Sequence, residues 1–415
     1  MTVDAERIDL PARDTVSNVL KWILLAVAIF SFALLAWATT ATYRLAPPRP
    51  ESFVGADGAA LMTGGDIVAG KGGFQKADLM DYGSLYGMGS YYGEDYTAST
   101  LVKLAATTRD NIAETVDGKP FLALTPDQQA AVTTSMQHDL QGIDLTKQQI
   151  VLPQPVASAI VSVRNATATG LRTADPATGW TPAYSLNSQL AQKTADFLIY
   201  SALTTVARRP GTTWSWTQNW PYEPLVGNTP TTNTFIWTWI SFCFTFFAFG
   251  VVLFIYEYFL NDPDDAPMDP VLSVFRPLTP SQKRIWKYFL VVAALLLVQI
   301  AAGIIMAHSY YDRRSFYGIA INDILPFNFL RDVHIQTPIV WIGLSWIGSA
   351  LFLGPAIAGG QEAKGQHWLV DLLFWVTLLV VAGALVGDYL GIMGVINRDW
   401  FCLLYTSDAA DEEDS

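Results

Sequence analysis
The 415 residues are 51% hydrophobic and only 15% charged, well under the quarter or so of charged residues in a soluble globular domain, which excludes a wholly soluble protein. The formal net charge of −12 is misleading, because five of the acidic residues fall in the last eight positions. Lys and Arg form no cluster suited to nucleic acid, so a nucleic-acid binder is excluded too.

Residues 1–21 are polar and carry Arg7, Arg13 and Lys21. The run Trp22–Tyr43 then gives 22 residues without a charge. That exceeds an ordinary signal-peptide core, and no small-residue cleavage site stands out, so a retained first membrane helix is predicted.

Residues 44–232 are predicted to form a separate soluble domain, nearly neutral at 13 Lys+Arg against 16 Asp+Glu and long enough to bury its own core. Within it, Thr125-Pro126-Asp127 reads as a helix start before DQQAAVTTSMQHDL. LNSQLAQKTADFLIYSALTTVAR carries a repeating apolar face. The segment GKGGFQKADLMDYGSLYGMGSYYGEDYTA packs seven glycines and six Tyr or Phe into 29 residues, which predicts a tight, irregular backbone rather than a regular element. His138 lies in a polar helix and is expected at the solvated surface. The domain closes on WSWTQNWPYEPLVGNTPTTNT, an aromatic belt of the kind that sits at a membrane interface.

Four more apolar runs follow: Thr234–Tyr256, Tyr288–Ala307, Ile335–Gly359 and Leu369–Met393, the last interrupted by Asp371 and Asp388. With the first run this makes about five membrane helices, each near the length of about 20 residues a bilayer requires. Cys243 in mid-membrane and Cys402 near the end are too isolated to pair, and without a C-x-x-C-H there is no covalently attached haem. The fold class expected is an all-α polytopic membrane protein with an inserted, mainly α extracytoplasmic domain.

The stretch from His308 to His334 joins two of these helices, with one histidine at each end where each helix is expected to meet water. An ionisable group on a spanning helix is costly and marks a site, and imidazole is the commonest protein ligand of haem iron. Interfacial anchoring of the helix ends accounts for the same positions, and the residues alone leave both readings open.

Loop charges set the orientation. Eight Lys+Arg (three in the N-terminus, four in Asn261–Lys287, and Lys364) lie on one side. Four (Arg313, Arg314, Arg331 and Arg398) lie on the other. The richer side belongs in the cytoplasm. The soluble domain, His308, His334 and Asp388 are then outside, and His367 is an interfacial residue inside.

Five separated segments carry a resemblance over residues 1–401: GFQKADLMDYGSLYGMGSYYGEDYTA, NWPYEPLVGNTPT, SFYGIAINDILPFNFLRDVHIQ, the run to LFLGP, and GDYLGIMGVINRDWF. The chain resembles the quinol-dependent nitric oxide reductases of the haem-copper oxidase superfamily. The resemblance implies four parts: residues 1–43 with the first helix, a cytochrome c-like domain without haem c at 44–232, catalytic helices at 233–401, and a foreign tail at 402–415. It also implies reduction of two nitric oxide molecules to nitrous oxide and water. The electrons come from a membrane quinol through a low-spin and a high-spin haem b and a non-haem iron. The location implied is a bacterial inner membrane with the domain on the periplasmic side, and a homodimer is compatible with it.

By the same resemblance, His334 in RDVHIQ is an axial ligand of the low-spin haem, and Pro338, four residues on, leaves the His334 carbonyl without its usual helical donor. His308 and Asp312 match the family's quinol site, with Asp where the family has Glu; an ion pair of Asp312 with Arg313 or Arg314 is the plain alternative. Asp388 in GDYLG, with Gly89 and Tyr91 in GMGSYY, matches a calcium site between the haems, again with Asp for Glu. A helix-end carboxylate and a structural turn account for those three residues equally well. The family needs six histidine ligands, and this chain holds four histidines. The ligands of the non-haem iron are therefore expected outside it, and the polypeptide alone is expected not to reduce nitric oxide. The competing readings are a dioxygen reductase of the same superfamily and a membrane-anchored sensor without a redox centre.

Overall fold
The computed structural model describes residues 18–77, 79–90, 93–173, 186–255, 257, 278–309, 315–357, 362, 364–393 and 395. In chain order its helices begin with α1 (Asn18–Leu45), α2 (Gly64–Lys76), α3 (Leu79–Tyr82), α4 (Tyr96–Asp117), α5 (Pro126–Gln141), α6 (Gln154–Gly170) and α7 (Ser188–Val206). They continue with α8 (Thr232–Ile255), α9 (Trp286–Ser309), α10 (Phe327–Ile357) and α11 (Gln366–Ile392). The strands are β1 (Ser52–Val54), β2 (Ala60–Thr63), β3 (Ser84–Leu85), β4 (Met88–Gly89) and β5 (Gln149–Val151). The described residues are 71% helical, so the short strands do not alter the class. α1, α8, α9, α10 and α11 are long and apolar enough to cross a membrane. The protein is an all-α polytopic membrane protein.

The chain divides into two compact units. The larger comprises residues 46–252, 309–329 and 388–415. β2, β1 and β5 form its small sheet, β1 antiparallel to β2 and parallel to β5. Helices α2, α4, α5, α6 and α7 enclose a core that includes Phe53, Phe74, Leu101, Leu104, Met136, Leu140, Ile160 and Leu203. α5 starts where Thr125-Pro126 predicts: Thr125 and Gln128 form a capping box and Pro126 opens the helix. α7 buries nearly its whole length, and the His138 side chain is 87% exposed, as expected.

The glycine-rich segment departs from expectation. Its first part is not irregular but lies in α2, capped by Thr63 and Asp66 in a capping box. The reason is packing against α7. A Cβ at Gly70 would run into the backbone carbonyl of Lys193, and one at Gly73 into the Thr194 hydroxyl. The glycines let two backbones approach rather than letting one bend. The irregular reading holds further along, where Tyr86 and Gly87 have φ of 54° and 83°.

The smaller unit comprises residues 1–45, 253–308 and 330–387. Ile285 and Tyr288, at the start of α9, pack with Leu344 of α10 and Val370 and Phe374 of α11. The Tyr288 hydroxyl donates to the Val370 carbonyl at 2.7 Å, and the Gln282 amide donates to the Phe352 carbonyl at 2.8 Å. Asp371, which weakened the last apolar run as a membrane segment, bonds to both Arg284 and Lys287. A charge that would be costly alone is compensated there.

α10 starts at Phe327 instead of Ile335, eight residues early. Pro326, with φ fixed and no N–H to leave unpaired, suits the entrance of a helix. The helix then carries Arg331 and Asp332, which conceal its start from any search for apolar runs. His334 therefore lies within α10, about 10 Å along it, rather than at its end. α10 continues through Pro338 and Pro355.

Candidate functional site
The site is built from α9 and α10, both in the smaller unit at these residues. His334 is half-buried, and its Nδ1 lies 3.0 Å from the main-chain carbonyl oxygen of Gln299 on α9. A carbonyl can only accept, so Nδ1 carries the proton and donates. The neutral ring then presents its lone pair at Nε2. Gln299 is held as well through its side chain, whose Oε1 accepts from Trp341 Nε1 at 2.8 Å. His334 and Trp341 are seven residues apart, two turns along one face of α10.

One turn beyond Gln299 stands Gly303. A Cβ there would lie 2.8 Å from His334 Cε1 and 3.0 Å from Nδ1, closer than such atoms approach. The imidazole occupies the room that a side chain would take.

His308 is half-buried in the last turn of α9, five residues past Gly303 or about 8 Å along the axis. The two histidines thus share one end of the α9–α10 pair. Asp312 lies outside the described residues, as does Tyr91.

Asp388 is 2% exposed, close to the C-terminal end of α11. Gly89 ends β4 with φ 135°, and a Cβ there would lie 2.6 Å from the Gly83 carbonyl oxygen. Only glycine suits that position. The loop around it is fixed by Asp95, a residue sequence reasoning passed over. Its Oδ2 accepts from Ser84 Oγ at 2.8 Å and Gly87 N at 2.7 Å, and its Oδ1 caps α4 through Ala98 N at 2.8 Å. The signal was an Asp immediately before the first residue of α4, where its side chain can cap the helix. Among the described residues, no three His, Cys, Asp or Glu side chains come together as a metal cluster.

At the other end of the smaller unit, the Glu362 carboxylate accepts from Ser281 N at 3.0 Å. Burial alone would raise its pKa, but the hydrogen bonds from Ser281 and Thr279 outweigh burial and hold it below the ordinary value. His367 opens α11 beside Trp368, with ring centroids 5.8 Å apart.

Two comparisons bear on these elements. Residues 50–222 match the family described as the NorB cytochrome c-like domain of nitric oxide reductase. Residues 283–407 match cytochrome c and quinol oxidase polypeptide I. The chain is a NorB-like member of the haem-copper oxidase family. No curated protein matches it. In the NorB-like chain the second match spans α9, α10 and α11 with His308, His334 and Asp388, and the first spans Gly89. The family consists of membrane-bound oxidoreductases that use haem.

Proposed function
We propose that the NorB-like chain serves quinol-dependent reduction of nitric oxide to nitrous oxide and water, with His334 as an axial ligand of a low-spin haem b. The observation that carries the reading is the Nδ1 hydrogen bond of His334 to the Gln299 carbonyl. A metal-ligating histidine characteristically donates its other ring N–H to an acceptor, which fixes the tautomer and makes the ligating nitrogen more basic. The residues present fit the group on two counts: the tautomer leaves Nε2 for iron, and Gly303 makes room for the ring.

When bound, a haem supplies transfer of one electron at a time. The protein's own part begins at His308. A quinol sheds protons as it sheds electrons, and an imidazole with a carboxylate four residues on is a suitable pair of acceptors for its hydroxyl protons. We assign that role to His308 and Asp312. The domain that precedes these helices, matched to a nitric oxide reductase domain, favours nitric oxide over dioxygen as the electron acceptor.

For Asp388, with Gly89 and Tyr91, we propose a calcium site. Asp388 is 2% exposed and lies near the C-terminal end of α11, where the helix dipole favours a nearby cation. Calcium takes carboxylate and carbonyl oxygens in flexible geometry. The high-spin haem b and the non-haem iron belong to the same proposal, with no ligand assigned to either among this chain's residues. The loop charges support a domain and both histidines on the periplasmic side of a bacterial inner membrane, and a homodimer fits the same scheme.

The test is quinol oxidation by the membrane-embedded enzyme, assembled with the remaining haem and iron ligands, under nitric oxide and, separately, under dioxygen. Consumption of nitric oxide, lost in His308→Ala with quinol but kept with an artificial electron donor, is expected. Turnover with dioxygen only would assign the chain to the oxidases. Full quinol activity in His308→Ala would remove the residue from the site.

A further inference from the structure
We propose that Gly303 is a positioning residue for the haem ligand: its bare α-carbon opens the Gln299 carbonyl sideways so that His334 can donate to it. This rests on His334 being an iron ligand, and adds a requirement on the helix opposite.

In an α-helix the carbonyl of residue i points toward the N–H of residue i+4, which for Gln299 is Gly303. Side chains on a helix lean toward its N-terminus, so whatever stands at position 303 covers the turn containing the Gln299 carbonyl. With glycine there, the carbonyl oxygen has an open flank. His334 takes it, with Nδ1 at 3.0 Å. The distances from a Cβ at 303, 2.8 Å to Cε1 and 3.0 Å to Nδ1, mean that a methyl group there forces the ring to shift from its hydrogen-bonded position. The obstruction falls on the imidazole atoms at the hydrogen bond, not on a flexible chain end.

Gln299 is locked from the other direction by Trp341, whose indole N–H reaches its side-chain oxygen at 2.8 Å. α10 thus grips one residue of α9 at two points, and only the Nδ1 contact bears on the ligand's electronics. Gly303→Ala and Gln299→Leu separate the two. The first obstructs the ring; the second keeps the main-chain carbonyl and removes only the tie to Trp341.

The experiment uses the haem-loaded enzyme in detergent, reading the ferric low-spin EPR signal and the low-spin midpoint potential, with haem retention as a further readout. Gly303→Ala is expected to move the EPR signal, raise the potential because the ligand loses its hydrogen-bond acceptor, and weaken haem retention about 10- to 100-fold. Gln299→Leu is expected to keep both signal and potential. If His334→Ala abolishes the low-spin signal while Gly303→Ala leaves signal and potential unchanged, the proposal fails and the ligand assignment stands. If His334→Ala leaves the signal intact, the assignment itself fails. Should Gly303→Ala not accumulate in membranes, pulsed EPR on the unaltered enzyme decides. A remote imidazole nitrogen with the coupling of a hydrogen-bonded N–H supports the proposal, and free N–H couplings for all axial imidazoles overturn it.

Discussion
Arg164 Nε lies 2.5 Å from the Asp196 carboxylate, a pair almost closed off from solvent in the larger unit. Arg164 sits on α6 and Asp196 on α7, and the guanidinium also donates to the Leu61 carbonyl of β2 at 2.6 Å. One side chain therefore ties two helices and a strand. Removing it with Arg164→Ala leaves a buried carboxylate uncompensated, and a loss of about 3–5 kcal/mol of stability is expected. Thermal unfolding of the variant beside the unaltered protein measures it.

The same pair makes the domain sensitive to pH. Burial pushes Asp196 up to about 6; Arg164 and Lys193 offset this only in part, and Asp66 adds to it. The folded state then binds the proton more tightly than the unfolded chain, whose carboxyl keeps its ordinary value. The resulting stabilisation is fully present below the unfolded value and is lost as pH rises through about 6. Lowering the pH from 7 to 5 is expected to recover roughly 1 kcal/mol at this residue. Asp196→Asn removes that share of the pH dependence. An unchanged slope between pH 5 and 7 in the variant contradicts the assignment.

Glycines in α2 are spaced for helix contact, and they are not equivalent. Gly70→Ala drives a methyl into the Lys193 backbone, which has no flexible end to yield. A cost of about 1–3 kcal/mol is expected, as for other overpacked sites. Gly65, in the same helix, meets only Thr63 Oγ1 at 3.7 Å, so Gly65→Ala is expected to be neutral or slightly stabilising through helix propensity. Equal melting temperatures for the two variants would falsify the close-approach account.

Asp371 accepts from Arg284 and Lys287 together. Asp371→Asn leaves two neighbouring cations facing each other beside the aromatic rings of Phe374 and Trp368. A loss of roughly 1–3 kcal/mol is expected, between the values for exposed and buried pairs. Asp371→Glu should recover part of it. Denaturant unfolding in detergent micelles is the measurement.

The membrane helices were legible in the sequence because long apolar runs suit little besides a bilayer, and the Thr125 cap fixed one end of α5. Harder to read was whatever depends on a partner. The glycines of α2 look like loop residues until α7 is placed against them. Arg331 and Asp332 hide the first two turns of α10, and with them the depth of His334. α4 and α6 were passed over although their apolar faces recur at helical spacing, Leu101, Leu104, Ala105 and Ile112 on one and Val156, Ile160 and Val163 on the other. For the site, His334 and His308 stood out as ionisable groups on apolar helices. Gln299, Gly303 and Trp341 did not, because a glutamine, a glycine and a tryptophan in spanning helices carry no mark until their distances are known.

The most direct measurement is the optical spectrum of the reduced enzyme with His334 replaced by alanine. Loss of the low-spin b-type band, with membrane insertion and the fold of the domain retained, is the result predicted from an Nε2 held ready for iron by the Gln299 carbonyl. A low-spin band of unchanged position and intensity in His334→Ala would contradict it.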